Sequence, residues 1–519
     1  MEVATKTDNK LIYKLNEPGY TIYHRAALGG LASTILAWDQ PPEGMHFSVD
    51  EETIEITWAS SLSEKEAIER LLAASFKLTD DKIIDLPGQG IDNDRADLRV
   101  AVHNLLTQTF LQHPKMRPGE KSPRQFSVAS VDDEEAYIFS YKPIDRYAHQ
   151  TAQGTGLFDG KKNGALPSIC TIPQSIIPGA FTGAQALNAS KEEVILLLYL
   201  IVSCPIFQLR PKSQETKAQS CVVVPNVISL KRFARALHRL AVSDVQSPFK
   251  SKSNSMRGRV VGGAEEGALR FLLDLRLAEA LHEEGVSGCQ AIVMGKVAWD
   301  SNQINRSMSI RIGLDYPEID VFRAANEKRD STRLLRTKKK EGFIVPTNHI
   351  PELVATNLAH GRHWCTNFIS LMKEQEDFSK MLFAREELIR MKTAIKDEVD
   401  IAIINAFHDA WNHTMRQLYK RAEHEHLGSG GADRLIEKER EKSRNAILRT
   451  KTSDTLAAWF LRFCANSTSG GSLSSIKKES EIIRQFIFEP RNFERFQNLC
   501  LFAMVSYESK SKKTTTNQE

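Results

Sequence analysis

Histidines, acids and glycine-rich turns come first, because they decide whether this chain does covalent chemistry. His408-Asp409 is the kind of pair that binds a metal ion and activates water at a phosphoester. It sits in an amphipathic helical pattern with no visible second ligand set, so a structural role is expected. His360, His363 and Cys365 are near enough in sequence to meet one ion, whereas His424 and His426 fall on different helix faces. Both sets are expected to be surface residues. Gly154-x-Gly156-x-x-x-Gly160 has the wrong spacing for a dinucleotide loop and no βαβ context. There is no G-x-x-x-x-G-K-[ST] loop and no nucleophile elbow or Ser-His-Asp arrangement. The sequence offers no positive reason to expect an enzyme, a metal or a cofactor.

Basic loops carry a stronger signal. Lys161-Lys162-Asn163 lies on a Gly-rich segment, and Lys250, Lys252, Arg257 and Arg259 fall in SPFKSKSNSMRGR. Lys338 and Lys339 lie within Arg333 to Lys340. Positive charge among small polar residues follows phosphate backbones, with an affinity that falls as salt rises. The link Trp299-Asp-Ser-Asn-Gln-Ile-Asn-Arg306 joins two expected strands. Its Asn302, Gln303, Asn305 and Arg306 suit base edges, or a wedge between base pairs, with Gln303 as the wedge. Arg385, Lys392, Lys396, Arg434, Lys438, Arg440, Arg444 and Arg449 alternate with acids, and pairing along helix surfaces is expected to account for most of them.

The elements that must position these loops read as follows. Pro18-Gly19 makes a turn. A helix then carries Leu28, Leu31, Ile35 and Trp38 on one face, with Ala26, Ala27, Gly29 and Gly30 permitting close approach. Residues 10–16 read as a strand, and alternation around Asp50-Glu-Glu predicts a hairpin. Ser63 and Glu66 form a capping box before a helix bearing Ile68, Leu71, Leu72 and Phe76. A helix over 95–112, two strands within 126–141 and a helix over 190–203 follow. A strand over 219–224 is expected to stop at Pro225, and helices are expected at 230–241 and 264–284. Paired strands at 289–295 and 307–313 complete a split β-α-β pattern with an antiparallel sheet. Residues 143–189 form a long irregular segment, and 327–342 a basic loop or frayed helix. From about residue 350 apolar residues recur at helical spacing, broken by Gly428-Ser-Gly-Gly and Ser467–Ser472, which predicts a helical bundle.

The expected fold is therefore α+β. An N-terminal mixed α/β part with antiparallel strands and long loops spans 1–350, with possible subdomains at 1–142 and 190–345. A C-terminal bundle over 351–508 and a disordered tail over 509–519 follow. The chain has 519 residues and a net charge of only +4, so nucleic-acid binding must come from local patches. Seven scattered cysteines, with no C-x-x-C pair, argue for reduced thiols and a cytoplasmic protein. The polar MEVATKTDNK lacks a signal-peptide core, and the apolar run Val194–Ile206 is too short to span a bilayer, so no membrane partner is expected.

The opening PGYTIYHRAALGGLASTI resembles the N-terminus of the large subunit of type I CRISPR surveillance (Cascade) complexes, closest to the myxobacterial-type branch allied to subtype B. The matching residues are His24, Arg25, Ala26, Leu28, Gly30 and Leu31. Gly295-Lys-Val-Ala-Trp299-x-x-x-Gln303-x-x-Arg306 is similar to the family too, and the layout agrees over the full length. The resemblance implies a non-catalytic subunit, bound to guide RNA beside the backbone and handle-binding subunits. It implies inspection of the protospacer-adjacent motif in target double-stranded DNA, help in opening the duplex into an R-loop, and a C-terminal bundle, similar to the small subunit, that holds the displaced strand. Further implied partners are small-subunit copies, started internally at Met372, Met381 or Met391, and a helicase-nuclease or transposition proteins. The alternative from the residues alone is an RNA- or protein-binding scaffold outside CRISPR.

Overall fold

The computed structural model describes residues 9–91, 96–111, 117–128, 137–150, 190–209, 219–242, 260–278, 285–294, 309–326, 332–336, 342–346 and 349–508, the last apart from 375–377, 379–380, 382–383, 428–429 and 466–473. They form two compact units. One comprises Met1–Leu314 with Arg329–Thr347, and the other Asp315–Lys328 with Asn348–Glu519. The second unit thus takes one short segment from the middle of the first, and the fold is α+β.

The first unit is built around α1 (Ile22–Leu36), which follows β1 (Lys10–Lys14). Residues Ala26 to Ile35 are all buried, so α1 is enclosed on every side rather than on one stripe. Trp38 lies beyond the helix end. The spacing of Leu28, Leu31, Ile35 and Trp38 predicted one buried face, but the alanines and glycines between them give the helix no polar face to leave in water, so they are buried too. β2 (Met45–Val49) and β3 (Thr53–Trp58) form the expected hairpin, with β1 on the other edge of β3. In α2 (Glu64–Ser75), Ser63 Oγ accepts from the Glu66 amide and the Glu66 carboxylate accepts from the Ser63 amide, closing the capping box. Two small ribbons flank α3 (Ala96–Gln108): β4 (Lys77–Leu78) with β5 (Ile84–Asp85), and β6 (Arg124–Val128) with β7 (Tyr137–Tyr141).

The helix expected over 190–203 is two pieces, α4 (Lys191–Leu197) and α5 (Leu200–Ser203). The break brings the Tyr199 carbonyl against α1 at Gly30, where a Cβ would sit 2.2 Å from that oxygen. β8 (Ile206–Leu209) follows, a strand not expected from the sequence. β9 (Ser220–Val227) runs on through Pro225 instead of stopping there. The proline is tolerated because it pairs with Cys289 beside an irregularity in the ladder, where a missing donor does least harm. After α6 (Leu230–Val242) come β10 (Val260–Val261), α7 (Ala264–Ala278), β11 (Val286–Met294) and β12 (Ser309–Ile312). The sheet order is β10-β8-β9-β11-β12, with β10 parallel to β8 and the other pairs antiparallel.

The second unit begins with α8 (Ile319–Asn326). The chain returns to the first unit as the hairpin β13 (Thr332–Arg336) and β14 (Gly342–Pro346), where a basic loop or frayed helix was expected. Leu-Leu and Phe-Ile-Val on the two arms favour strands over a solvated helix. Helices α9 (Ile350–Ala359), α10 (Arg385–Ala394), α11 (Glu398–His424), α12 (Gly431–Arg449), α13 (Ser453–Ala465), α14 (Ser474–Lys478), α15 (Ser480–Ile487) and α16 (Phe493–Ser506) make the helical region. Trp411 and Phe407 of α11 and Phe496, Leu499 and Phe502 of α16 lie in its core. No described helix is long and apolar enough to cross a membrane.

Candidate nucleic-acid interface

The residues proposed from the sequence for motif reading (Lys161, Lys162, Asn163, Asn302, Gln303, Asn305 and Arg306) and for phosphate contact (Lys250, Lys252, Arg257, Arg259, Lys338 and Lys339) lie outside the described residues, as does the tail 509–519. What the structure does assemble is a cleft at the start of α1. Its walls come from the turn into that helix, the end of β9, the irregular start of β11 and the end of β12.

The cleft has a volume of about 710 Å³. Tyr20, Thr21, Tyr23 and Arg25 form one wall, and Asn226, Ser287, Gln290 and Arg311 the other. The helix start is fixed locally. His24 Nδ1 accepts from the Thr21 amide at 3.2 Å, and its ring stacks on Tyr20 with centroids 4.7 Å apart. Burial lowers the His24 pKa, so the ring is neutral and accepts. Burial, reinforced by Glu17, lifts the Tyr20 phenol to about 12. On the opposite wall the ladder slips between Val286 and Cys289, and Gly288 adopts φ +152 with the Ile312 carbonyl 2.9 Å from where a Cβ would be. Only glycine fits there, and the irregularity turns Ser287 outward.

A polar chain links the walls. Arg25 donates to Asn226 Oδ1 at 3.2 Å, and Asn226 donates to Ser287 Oγ at 2.7 Å. The Arg25 Nε is buried with no acceptor among the described residues. Arg311 is exposed, and no carboxylate lines the cleft among the described residues. The Cys289 thiol is pushed well up by burial, so it is not a thiolate. Two guanidinium groups and several hydrogen-bonding groups suit an anion, a phosphate or a carboxylate.

The histidines singled out from the sequence have structural partners. His408 is buried. Its Nδ1 lies 3.1 Å from Lys392 Nζ, and its Nε2 donates to the Ala503 carbonyl at 2.8 Å. Burial, with Lys392 adding to it, drives its pKa down to about 3. His360 turns back to the Thr356 carbonyl, and His363 Nδ1 meets Cys365 Sγ at 3.1 Å. Against the surface position expected for this pair, Cys365 is fully buried and His363 sits against the buried Asp400 carboxylate at 3.0 Å, which draws it inward. No group of three metal-ligating side chains suited to an ion occurs among the described residues.

Comparison with known proteins adds what geometry cannot. Residues 12–198 match the DevT N-terminal domain, and residues 391–519 match the DevT C-terminal domain. A protein of Myxococcus xanthus (strain DK1622) described as "CRISPR-associated protein Cas8a1/Csx13" is 22% identical over 541 aligned residues, which cover 96% of this chain and 89% of that one. The chain is similar to a CRISPR-associated protein. Tyr20, Tyr23 and Arg25 lie within the N-terminal match, while Asn226, Ser287 and Arg311 lie outside both matches. Arg25 stood in the N-terminal motif from the start, but its partners were missed. The signals that could have found them were Pro225 within an apolar strand and Gly288 beside the next one, both marks of an irregular ladder.

Proposed function

We propose that this chain is the large subunit of a type I RNA-guided CRISPR effector complex, working by binding rather than by catalysis. The observation that carries the reading is similarity across 96% of the chain to a protein named CRISPR-associated Cas8a1/Csx13. In this reading the N-terminal unit contacts guide RNA and target double-stranded DNA, with Arg25 and Arg311 taking phosphates in the cleft. The loop around Lys161 and the hairpin of Asn302 to Arg306 inspect the protospacer-adjacent motif, with Gln303 as the wedge that opens the duplex, and the basic loops around Lys250 and Lys338 take phosphates. Guide–target pairing nearly balances the duplex it replaces, so modest contacts of this kind can tip strand exchange. The N-terminal motif favours the branch allied to subtype B. Backbone and handle-binding subunits are the expected neighbours, in the cytoplasm.

The deciding experiment is purification of the tagged chain from cells expressing its neighbouring genes, followed by sequencing of the bound RNA. A short RNA of defined length, derived from a repeat, is expected. Heterogeneous cellular RNA, or none, would overturn the reading in favour of a general scaffold.

A further inference from the structure

The chain passes from the first unit to the second between Leu314 and Asp315, and α8 then packs against α9 and α10. Glu318 stands just past that crossing, one residue before α8. Its Oε1 lies 3.3 Å from His363 Nε2, in the connection after α9. The same nitrogen lies 3.0 Å from Oδ2 of Asp400, in the first turn of α11. One imidazole nitrogen thus stands between two carboxylates brought from distant parts of the chain.

The neutral ring has one proton to offer there. The Cys365 amide donates to His363 Nδ1 at 3.4 Å, and the Cys365 sulfur lies 3.1 Å from the same atom. Burial pushes the Cys365 thiol well up, so it keeps its proton. Nδ1 is therefore an acceptor, and the proton of the neutral ring sits on Nε2. The two carboxylates do not share it on equal terms. Asp400 is fully buried and also accepts from Trp364 Nε1 at 2.8 Å and from Arg495 at 3.0 and 2.7 Å. Glu318 is half-buried and less well held. Burial pushes its carboxyl up and Asp400 adds to that, while His363, the Trp364 amide and Arg495 offset only part. Two like charges on one site disfavour each other, and the group with fewer partners yields.

We propose that Glu318, His363 and Asp400 form a proton-operated catch on the segment by which the chain enters its helical unit. The catch is shut while Glu318 carries a proton or the ring carries two, and it eases when that proton leaves and Glu318 faces the Asp400 charge. The charged groups acting on Glu318 are His363, Asp400 and Arg495, and Arg495 is engaged with Asp400 and Asp397. Asp320, two residues on, is held by Lys396 and Arg323, so the easing falls on residues 315–319 while α8 stays docked. Two main-chain bonds report on it: the Ile319 amide donates to the Tyr316 carbonyl at 3.1 Å, and the Val321 amide to the Glu318 carbonyl at 3.0 Å. An acid whose pKa the fold raises favours the fold fully below its unfolded value and less as pH climbs through the folded one. The catch is therefore shut in acid and eases towards neutral pH.

The test is hydrogen exchange of the full-length chain at pH 7.5 and 5.5, read by mass spectrometry on peptides covering 315–326 and corrected for the intrinsic rate. E318Q should slow exchange at pH 7.5 by about twofold or more, the low end of coupling between groups in contact, and should flatten its dependence on pH. H363A leaves the two carboxylates with no donor between them and should quicken exchange at pH 7.5. Adding E318Q to H363A should recover protection, since a neutral amide gives Asp400 nothing to repel. Peptides covering 22–36 should not change in any variant. Equal or faster exchange in E318Q at pH 7.5 would overturn the proposal, because Glu318 would then be an ordinary partner of His363. So would wild-type pH dependence in E318Q, or an H363A chain that E318Q does not rescue. Should H363A fail to fold, the wild type and E318Q at the two pH values decide alone.

Discussion

Replacing Gly30 by alanine places a methyl carbon 2.2 Å from the Tyr199 carbonyl oxygen, 3.1 Å from its carbon and 3.3 Å from the Ser203 amide nitrogen. Real contacts to a Cβ do not come under 3.0 Å, so something must move by at least 0.8 Å. The obstacle is main chain at the junction of α4 and α5, and it is held. The Val202 amide donates to that same carbonyl at 3.0 Å, and the fully buried Tyr199 bonds Ser75 through its hydroxyl at 2.9 Å. Alanine gains about 1 kcal/mol in helix propensity over glycine. Overpacking costs about 1–3 kcal/mol, here at the upper end because backbone must yield, and a disturbed hydrogen bond adds about 1. The net expectation for G30A is a loss of about 3 kcal/mol, or roughly a hundredfold in the opening equilibrium of α1. Gly29 is the internal control. Its Cβ would meet the Phe233 ring at 2.6 Å and a Val227 methyl at 3.0 Å, side chains that can tilt, so G29A should lose about 1 kcal/mol. Hydrogen exchange read by mass spectrometry on peptides spanning 22–36 isolates this helix without assuming two-state unfolding of a two-unit chain. Protection in G30A equal to or above the wild type, or greater damage in G29A, would refute the close-packing argument.

Asp400 is fully buried. It accepts from Trp364 Nε1 at 2.8 Å and from two nitrogens of Arg495 at 3.0 and 2.7 Å, with His363 Nε2 at 3.0 Å. Burial pushes its carboxyl up, but His363, Arg495 and Trp364 together outweigh that and hold it below the ordinary carboxylate range. D400N should cost about 3 kcal/mol, the low end for a broken buried pair because Arg495 keeps Asp397, and exchange across 398–424 should rise accordingly. Three buried histidines among the described residues contribute to the acid response: burial holds His103 at about 4 and His149 and His408 at about 3. The unfolded chain protonates them first, so their contribution is complete above about pH 6.5 and is lost as pH falls from there towards the folded values. H408Q should flatten the decline of the helical unit's stability between pH 6.5 and 5 by up to about 1.4 kcal/mol per pH unit, measured by exchange across the same pH range. An unchanged slope would mean that His408 is already charged in the native state.

What the sequence disclosed depended on whether a signal was local. The hairpin of Met45–Val49 with Thr53–Trp58 was legible because its alternation and acidic turn lie within fourteen residues of each other. The Ser63–Glu66 box was legible because its chemistry is complete at three-residue spacing. Ile206–Leu209 was not, since four residues, Ile-Phe-Gln-Leu, coming just after a buried helix are too few to show a period of their own. The cleft was invisible for a different reason: Arg25 and Asn226 are 201 residues apart, and nothing near either announces the other. Arg440 shows the limit most sharply. In sequence, Arg440 stands among Glu437, Glu439 and Glu441, and pairing along the helix looked sufficient. In the fold, Glu439 accepts from Lys442 and Glu437 stays exposed, while Arg440 is half-buried with its Nε lacking an acceptor among the described residues. Charge counted along a chain says how many partners exist. Which cation is left without one is settled only when helices from distant parts of the chain are brought side by side.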